Sequence, residues 1–522
     1  MISTRKITAG AWLAVLAALV IAGSAVAAPS LTITPTEGPV KTPLVITGSG
    51  FAPGGLVDLK WQTVEGNRVS GAGFGEVLWP YATVVADSTG AFRLESKAPE
   101  DLGGPAHRIE ARIGDNVTAQ TSFTITRTAE ITPKSGPIGT MITLHMTGGG
   151  WTQYDNIVAV TYDNSFIGFM CSFNSQGNMT LWLPATGDVG LHTIDVWPAL
   201  YWGTYPAGAA GPTPWKIAHI ADGDQPTKIP KFHFEFQLTP GDLTVPNVVP
   251  DPGQVTVVSD AVAAVATAKA PMIALSKDMA TPGSDYLLAG GGFKAGDTVK
   301  LTWATVTVKE EIKKDKNLGW NATPVVRDLG TAVASPAGTF VVPLTTPYDF
   351  GGDHTIRALV DGKEVSQTSI RVQPRFEFVG PNSVNAGEKV NIRGYGLGSE
   401  QYTAVWSVLY DNKLNGWVSA FDTNGNATFD VYAVGAPGKH FIDIHEGSNG
   451  WPYLNLWESP WPWEPAQHFS FEIKGKAMAT MQEPLSKETA RAEAPFAALP
   501  LLLGGIAVVA LALGSRRRGG DQ

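Results

Sequence analysis

A single cysteine, Cys171, stands among 522 residues. With one thiol the chain can form no internal disulfide, so its stability must come from apolar cores. Cys171 follows Phe166, Ile167, Phe169 and Met170. That apolar setting predicts a buried, inert thiol. Other absences bear on function. The sequence has no Gly-x-Ser-x-Gly, His-Glu-x-x-His, phosphate-loop or dinucleotide fingerprint, so the commonest enzyme signatures are missing. No carboxylate pair stands out as glycosidase-like. The formal net charge is −9, and the only basic cluster is Arg516, Arg517 and Arg518 at the end of the chain. Nucleic acid therefore makes a poor partner. These absences predict a protein that is not an enzyme and holds no cofactor.

Turn and strand chemistry is abundant. There are 58 Gly, 37 Pro and 16 Trp, with only 16% charged residues, a composition that suits short strands joined by turns. The second half also repeats the first. Gly50-Phe51 and Trp61 return as Gly292-Phe293 and Trp303, an offset of 242 residues. Asp101, Gly103 and Gly104 return as Asp349, Gly351 and Gly352. Tyr162-Asp163-Asn164 returns as Tyr410-Asp411-Asn412, and His192 as His440, at an offset of 248. A near-constant offset over so many landmarks indicates a tandem duplication.

The two ends read as membrane signals. Arg5 and Lys6 precede an apolar run and then Ala25-Val26-Ala27-Ala28, the order of a secretory signal peptide. An uncleaved anchor is the alternative. Residues 496–514 are uncharged and precede three arginines. That pattern predicts one transmembrane helix with a cytoplasmic basic tail. The ending also resembles prokaryotic C-terminal sorting signals, although no Leu-Pro-x-Thr-Gly sequence is present, so processing by a sorting enzyme stays open. Each half divides again, into modules A and B. The expected organisation is signal peptide 1–28, A1 29–128, B1 129–239, linker 240–269, A2 270–373, B2 374–474, stalk 475–495, helix 496–514 and tail 515–522. Val57, Leu59 and Trp61 alternate on one strand face, as do Val299, Leu301 and Trp303; both faces are expected to point inward.

Module B1 opens with Ile131, Pro133, Gly136, Gly139, Thr140, Ile142 and Thr143, and A1 follows the same plan with Thr42 and Gly48 to Phe51. This opening resembles the start of immunoglobulin-like domains of the IPT/TIG type. The resemblance spans nearly all of residues 29–474, and the chain departs from antibody-type domains in lacking their cysteine pair. It implies four β-sandwiches in an exported, modular surface protein used for adhesion, spacing or carbohydrate binding.

Three groups of side chains are candidate sites. His107, His192, His354 and His440 occupy one equivalent position per module, which predicts a structural bond to a loop carbonyl rather than metal binding. His440, His445, Glu446 and His468 lie in B2, where His445 and Glu446 have no counterparts in the first half; a metal or acid–base site is the functional alternative there. Trp451, Tyr453, Trp457, Trp461 and Trp463 form an aromatic loop, and Trp197, Tyr201, Trp202, Tyr205 and Trp215 stand in the matching region. Such rings can pack the end of a sandwich, anchor a protein interface or stack on sugars. Asn116, Asn178 and Asn426 head glycosylation sequons. The expected function is a membrane-anchored extracellular structural or adhesion protein. Its expected partners are envelope or surface proteins, further copies of itself, or polysaccharide. Carbohydrate binding through the Trp-rich loop, or an accessory role in an envelope enzyme complex, is the alternative.

Overall fold

The computed structural model describes residues 28–67, 73–152, 156–172, 176–199, 232–245, 261–313, 316–400, 403–448, 451–456 and 466–475. The expected signal peptide, membrane helix and basic tail, and nearly all of the stalk, lie outside these residues. Among the described residues no helix is long and apolar enough to cross a membrane.

The described chain is all-β. Each module pairs a three-stranded sheet with a five-stranded one. In A1 the smaller sheet holds Ser30–Thr34, Pro43–Ser49 and Phe92–Lys97. The larger holds Glu37–Gly38, Leu56–Asn67, Gly73–Val85, His107–Ile113 and Asn116–Ile125. B1, A2 and B2 repeat this order, and in B2 a short strand, Trp451–Pro452, is added beside Gly438–Ser448. The arrangement fits tandem immunoglobulin-like sandwiches.

The opening strand of A1 serves both sheets. Ser30–Thr34 pairs antiparallel with Pro43–Ser49, and Glu37–Gly38 then pairs parallel with Asn116–Ile125. The corner is fastened by the Thr42 hydroxyl, which donates to the Pro39 carbonyl at 2.6 Å. Thr140 does the same to Pro137 in B1, also at 2.6 Å. The motif that carries the family resemblance is thus a sheet-switching corner.

Alternation then fills the cores. Val57, Leu59 and Trp61 are buried together in A1, and Val299, Leu301 and Trp303 in A2. Each large ring carries a polar atom that needs a partner when buried. The Trp61 indole donates to Asp101 at 2.8 Å, and Thr63 Oγ1 and the Leu102 amide donate to the same carboxylate, each at 2.7 Å. Trp303 and the Phe350 amide use Asp349 in the same way, both at 2.9 Å. One aspartate therefore ties a core strand to the loop that meets the next module.

At that loop the A and B modules join closely. The Gly103 amide donates to the Gly149 carbonyl and that of Gly351 to Leu397, both at 3.0 Å. A Cβ at Gly103 would lie 2.1 Å from the Gly148 oxygen, and one at Gly351 would lie 2.0 Å from that of Gly396. The repeated Asp-x-Gly-Gly landmark is thus the A–B joint, where any side chain would push the modules apart. Within the expected linker, the helix Ala261–Ala266 sets Val265 against Ala289 and so belongs to the surface of A2.

Asp101→Ala leaves a buried indole N–H and a buried hydroxyl without their acceptor. We expect a loss of roughly 3 kcal/mol in denaturant unfolding, with a comparable loss for Asp349→Ala.

Candidate functional site: the seam between the B modules and the A2–B2 cleft

The four equivalent histidines act as straps. His107 meets the carbonyls of Gln62 (2.9 Å) and Leu102 (2.6 Å), and His354 those of Ala304 (2.9 Å) and Phe350 (2.8 Å). In the B modules one carbonyl is replaced by a carboxylate. His192 bonds Asp163 at 2.6 Å and the Asp188 carbonyl at 2.7 Å; His440 bonds Asp411 at 2.6 Å and the Ala436 carbonyl at 2.8 Å. Burial works against the charged form of His440. The bonds to Asp411 and Ala436 and the charges of Asp411 and Asp188 outweigh it, so its pKa is raised.

The second group divides. His440 is a strap. His445 and His468 lie on the outer face of the larger B2 sheet, their rings edge to face at 6.3 Å, with Asp443 bonded to His468 at 2.6 Å. His468 has a first-half counterpart that the altered spacing hides in the sequence, because His233 bonds Asp195 at 2.8 Å. Ser407 sits across the strand pair from His445. Ser407 Oγ and Asp443 Oδ2 are buried without hydrogen-bond partners. Burial pushes His445 down to about 4; Asp443 opposes that shift and His468 adds to it. Ser407 is fully buried. Among the described residues no group of three His, Cys, Asp or Glu side chains could hold a metal. Glu446 faces the other way, into a cleft between A2 and B2.

That cleft has a volume of about 470 Å³ and is lined by Thr305, His354, Arg371, Ser399, Trp406 and Glu446, among others. The first A–B joint is built differently at this place. Trp151 packs on His107 there, with ring centroids 5.5 Å apart, and Ser399 holds the matching position, one residue beyond the bridged pairs Gly103–Gly150 and Gly351–Gly398. Thr63 is bonded to Asp101, whereas the buried Thr305 hydroxyl has no partner. The cleft can hold a small polar molecule.

Of the aromatic loop, Trp451 and Tyr453 lie among the described residues. Trp457, Trp461 and Trp463 lie outside the described residues. The backbone of Trp451 pairs with Ser448. Tyr453 is buried against Phe169 of B1, ring centroids 5.3 Å apart, with its hydroxyl 3.3 Å from Cys171 Sγ. A sugar needs an exposed ring face, and Tyr453 offers none.

Tyr453 begins the most extensive inter-module contact. B1 is open on the side where the edge strands of its two sheets, Ser165–Cys171 and Met179–Pro184, face each other unpaired. Residues 453–456 of B2 bridge that opening. The Leu454 amide donates to the Phe169 carbonyl and the Leu456 amide to Thr180, each at 2.9 Å. The Asn455 side chain clamps the backbone of Cys171, accepting from its amide at 2.9 Å and donating to its carbonyl at 2.8 Å. Leu454 and Leu409 enter the B1 core itself. A Cβ on Gly168 would lie 2.7 Å from Leu454 Cγ, so the approach requires glycine. The turn after Tyr410 adds Asn412, which donates to the Pro184 carbonyl at 2.8 Å and lies 3.1 Å from Thr186 Oγ1. Lys439 reaches Asp242 at 2.7 Å. Leu409, Asn412, Leu454, Asn455 and Leu456 carry this contact, and none of them stands out in the sequence as a site residue. The one available signal was the alternation of Leu454 and Leu456 around an asparagine.

No family model and no curated protein matches the chain. Solved structures of low similarity include the native conformation of Escherichia coli alpha-2-macroglobulin, at 9% identity, 85% of this chain, 29% of that chain and TM-score 0.18. They also include the Yersinia pseudotuberculosis adhesin InvE, at 12% identity, 39% of this chain, 58% of that chain and TM-score 0.17. A third is the Bacillus subtilis sporulation control protein Spo0M, at 12% identity, 39% of this chain, 90% of that chain and TM-score 0.15. The chain spans under a third of the macroglobulin's length. Scores this low support no inference about activity.

Two measurements test these placements, the first at the seam and the second at His445. Leu454→Ala should cost about 2–4 kcal/mol, and both it and Asn455→Ala should speed thiol labelling of native Cys171 at least tenfold. The second concerns acid. A histidine with a depressed folded pKa stays neutral in the fold while the unfolded chain takes up a proton near pH 6.5. Its stabilising contribution is therefore complete above that value and falls as pH drops toward 4. Between pH 7 and 5 this amounts to about 2 kcal/mol. His445→Asn should remove that part of the loss, as read from denaturant midpoints at the two pH values.

Proposed function

We propose that this chain is an exported, membrane-anchored surface scaffold built from immunoglobulin-like modules of the IPT/TIG type. It acts by presenting fixed faces to envelope proteins, surface polysaccharide or further copies of itself, and does no chemistry. The observation that carries this reading is the core shared by B1 and B2. It joins the two halves of the duplication into one body, which suits the display of fixed surfaces better than a flexible tether would. The terminal apolar segments supply the export signal and the anchor. Protease treatment of intact cells should degrade the tagged protein, and truncation after residue 495 should release it into the medium. Retention of the truncated chain inside the cell would refute the reading. A glycan array probed with wild-type protein and with Trp457→Ala, Trp461→Ala and Trp463→Ala variants separates polysaccharide from protein partners.

A second reading, an accessory subunit of an envelope enzyme, is favoured only by the A2–B2 cleft with its unpartnered Thr305 hydroxyl.

A further inference from the structure

The B1–B2 seam joins two unlike surfaces. B1 supplies a receiving side: the open edge strands, Gly139 and the carbonyls near Thr186. B2 supplies a donating side: residues 453–456, the Asn412 turn, Lys439 and Phe441. Because B1 and B2 are copies, each module also carries much of the surface its neighbour uses, and apart from the Leu414 end of one B2 edge strand, which packs on the B1 core, large side chains on both spare surfaces are exposed.

The spare receiving side is on B2. Its edge strands Lys413–Ser419 and Ala427–Tyr432 match Ser165–Cys171 and Met179–Pro184. The register irregularity recurs at the same place, after Val160 in B1 and after Val408 in B2. Gly416 stands where Gly168 does, yet a Cβ there would meet nothing within 4 Å. Gly387 stands where Gly139 does: Gly139 lies against Phe441, and Gly387 faces open space. The matching side chains are large and exposed, Trp417 at 61%, Tyr432 at 56% and Val434 at 57%. A groove of about 360 Å³ opens between the edges, lined by Tyr410, Val431 and Tyr432, among others, and by Leu414, whose side chain also packs on the B1 core. In B1 the side equivalent to this groove is the one that B2 covers.

The spare donating side is on B1. Asn164 matches Asn412, and both have positive φ, 63° and 55°. Asn412 is buried in the seam whereas Asn164 is exposed. Leu191 matches Lys439 and is 57% exposed, and Val189 beside it is 61% exposed. Both are large apolar side chains left to solvent at one end of the sheet.

We infer that the chain associates with itself head to tail, the B1 module of one copy docking on the open side of B2 in the next, so that the part of the contact made by the Asn412 turn within each chain is repeated by the Asn164 turn between chains. Asn164 would donate to the backbone carbonyls near Val434, as Asn412 does near Thr186. Val189 and Leu191 would cover the apolar rim around Tyr432 and Val434. A contact between two different surfaces leaves one of each free on every pair, so growth continues until a ring closes or a filament forms. This deepens the surface-scaffold reading by naming the partner as a second copy. It stays separable from that reading, because a mass measurement is indifferent to where the protein resides.

The test uses the full chain in detergent, with mass measured by sedimentation and light scattering over a range of concentrations. Wild type should show mass rising with concentration beyond a dimer. Leu191→Asp disables only the donating side and Val434→Asp only the receiving side. Both positions are exposed, so thermal melts should match wild type. Each variant alone should remain monomeric, with association weakened at least tenfold. An equimolar mixture of the two should form dimers and nothing larger, because one intact surface of each kind remains. A wild-type protein monomeric at every concentration would overturn the inference. So would single variants that still associate, or a mixture that does not dimerise.

Discussion

Leu409 and Leu454 of the last module lie in the hydrophobic core of the second, and the rest of the architecture follows from that burial. Two sheets stacked face to face leave an opening wherever both edge strands lie unpaired, and a chain without disulfides must close that opening by packing. B1 closes it with residues from more than 200 positions away. The Asn455 clamp on Cys171 and the two backbone bonds from Leu454 and Leu456 fix the register of this closure. Burying two leucines contributes about 3–6 kcal/mol, a large share of the marginal stability of a single domain. The duplication therefore yields two A–B pairs fused at their B modules rather than a string of independent beads.

The same physics accounts for how the copies diverge. Where the halves agree, residues serve the sandwich: the Trp–Asp tie, the histidine straps and the glycine joint between A and B. Where they differ, they serve position. B1 has Ile157, Ala159 and Trp197 on its outer face with Tyr453 against them, whereas B2 sets Ser407 and His445 in the places of Ala159 and Trp197. Trp151 fills the first A–B joint, and Ser399 leaves the second one open. A duplicated chain whose copies meet must let one become the giver and the other the receiver, and these substitutions mark which is which.

Much of this was legible in the sequence. The duplication, the inward face of Val57, Leu59 and Trp61, the buried Cys171 and the strapping histidines all follow from short-range periodicity and spacing, which a single strand or turn determines. The seam was not legible. Residues 451–456 read as part of an irregular aromatic loop whose rings could pack, anchor an interface or stack on sugars, while Leu454 and Asn455 beside Tyr453 carry no signal of their own. No local pattern states that an asparagine will bond the backbone of a residue 284 positions away. The kinship of His468 with His233 was hidden because the offset changes there. The A2–B2 cleft depends on one tryptophan having a serine as its counterpart, which becomes meaningful only once the joint is seen in three dimensions.

Hydrogen exchange of the intact chain, followed by mass spectrometry, tests most directly whether B1 and B2 share one core. Peptides covering Ser165–Cys171 and Gly438–Ser448 should show the same opening free energy and lose protection together as denaturant is added. Earlier exchange in B2 while B1 keeps full protection would show that B1 closes its own core, and the account would fail.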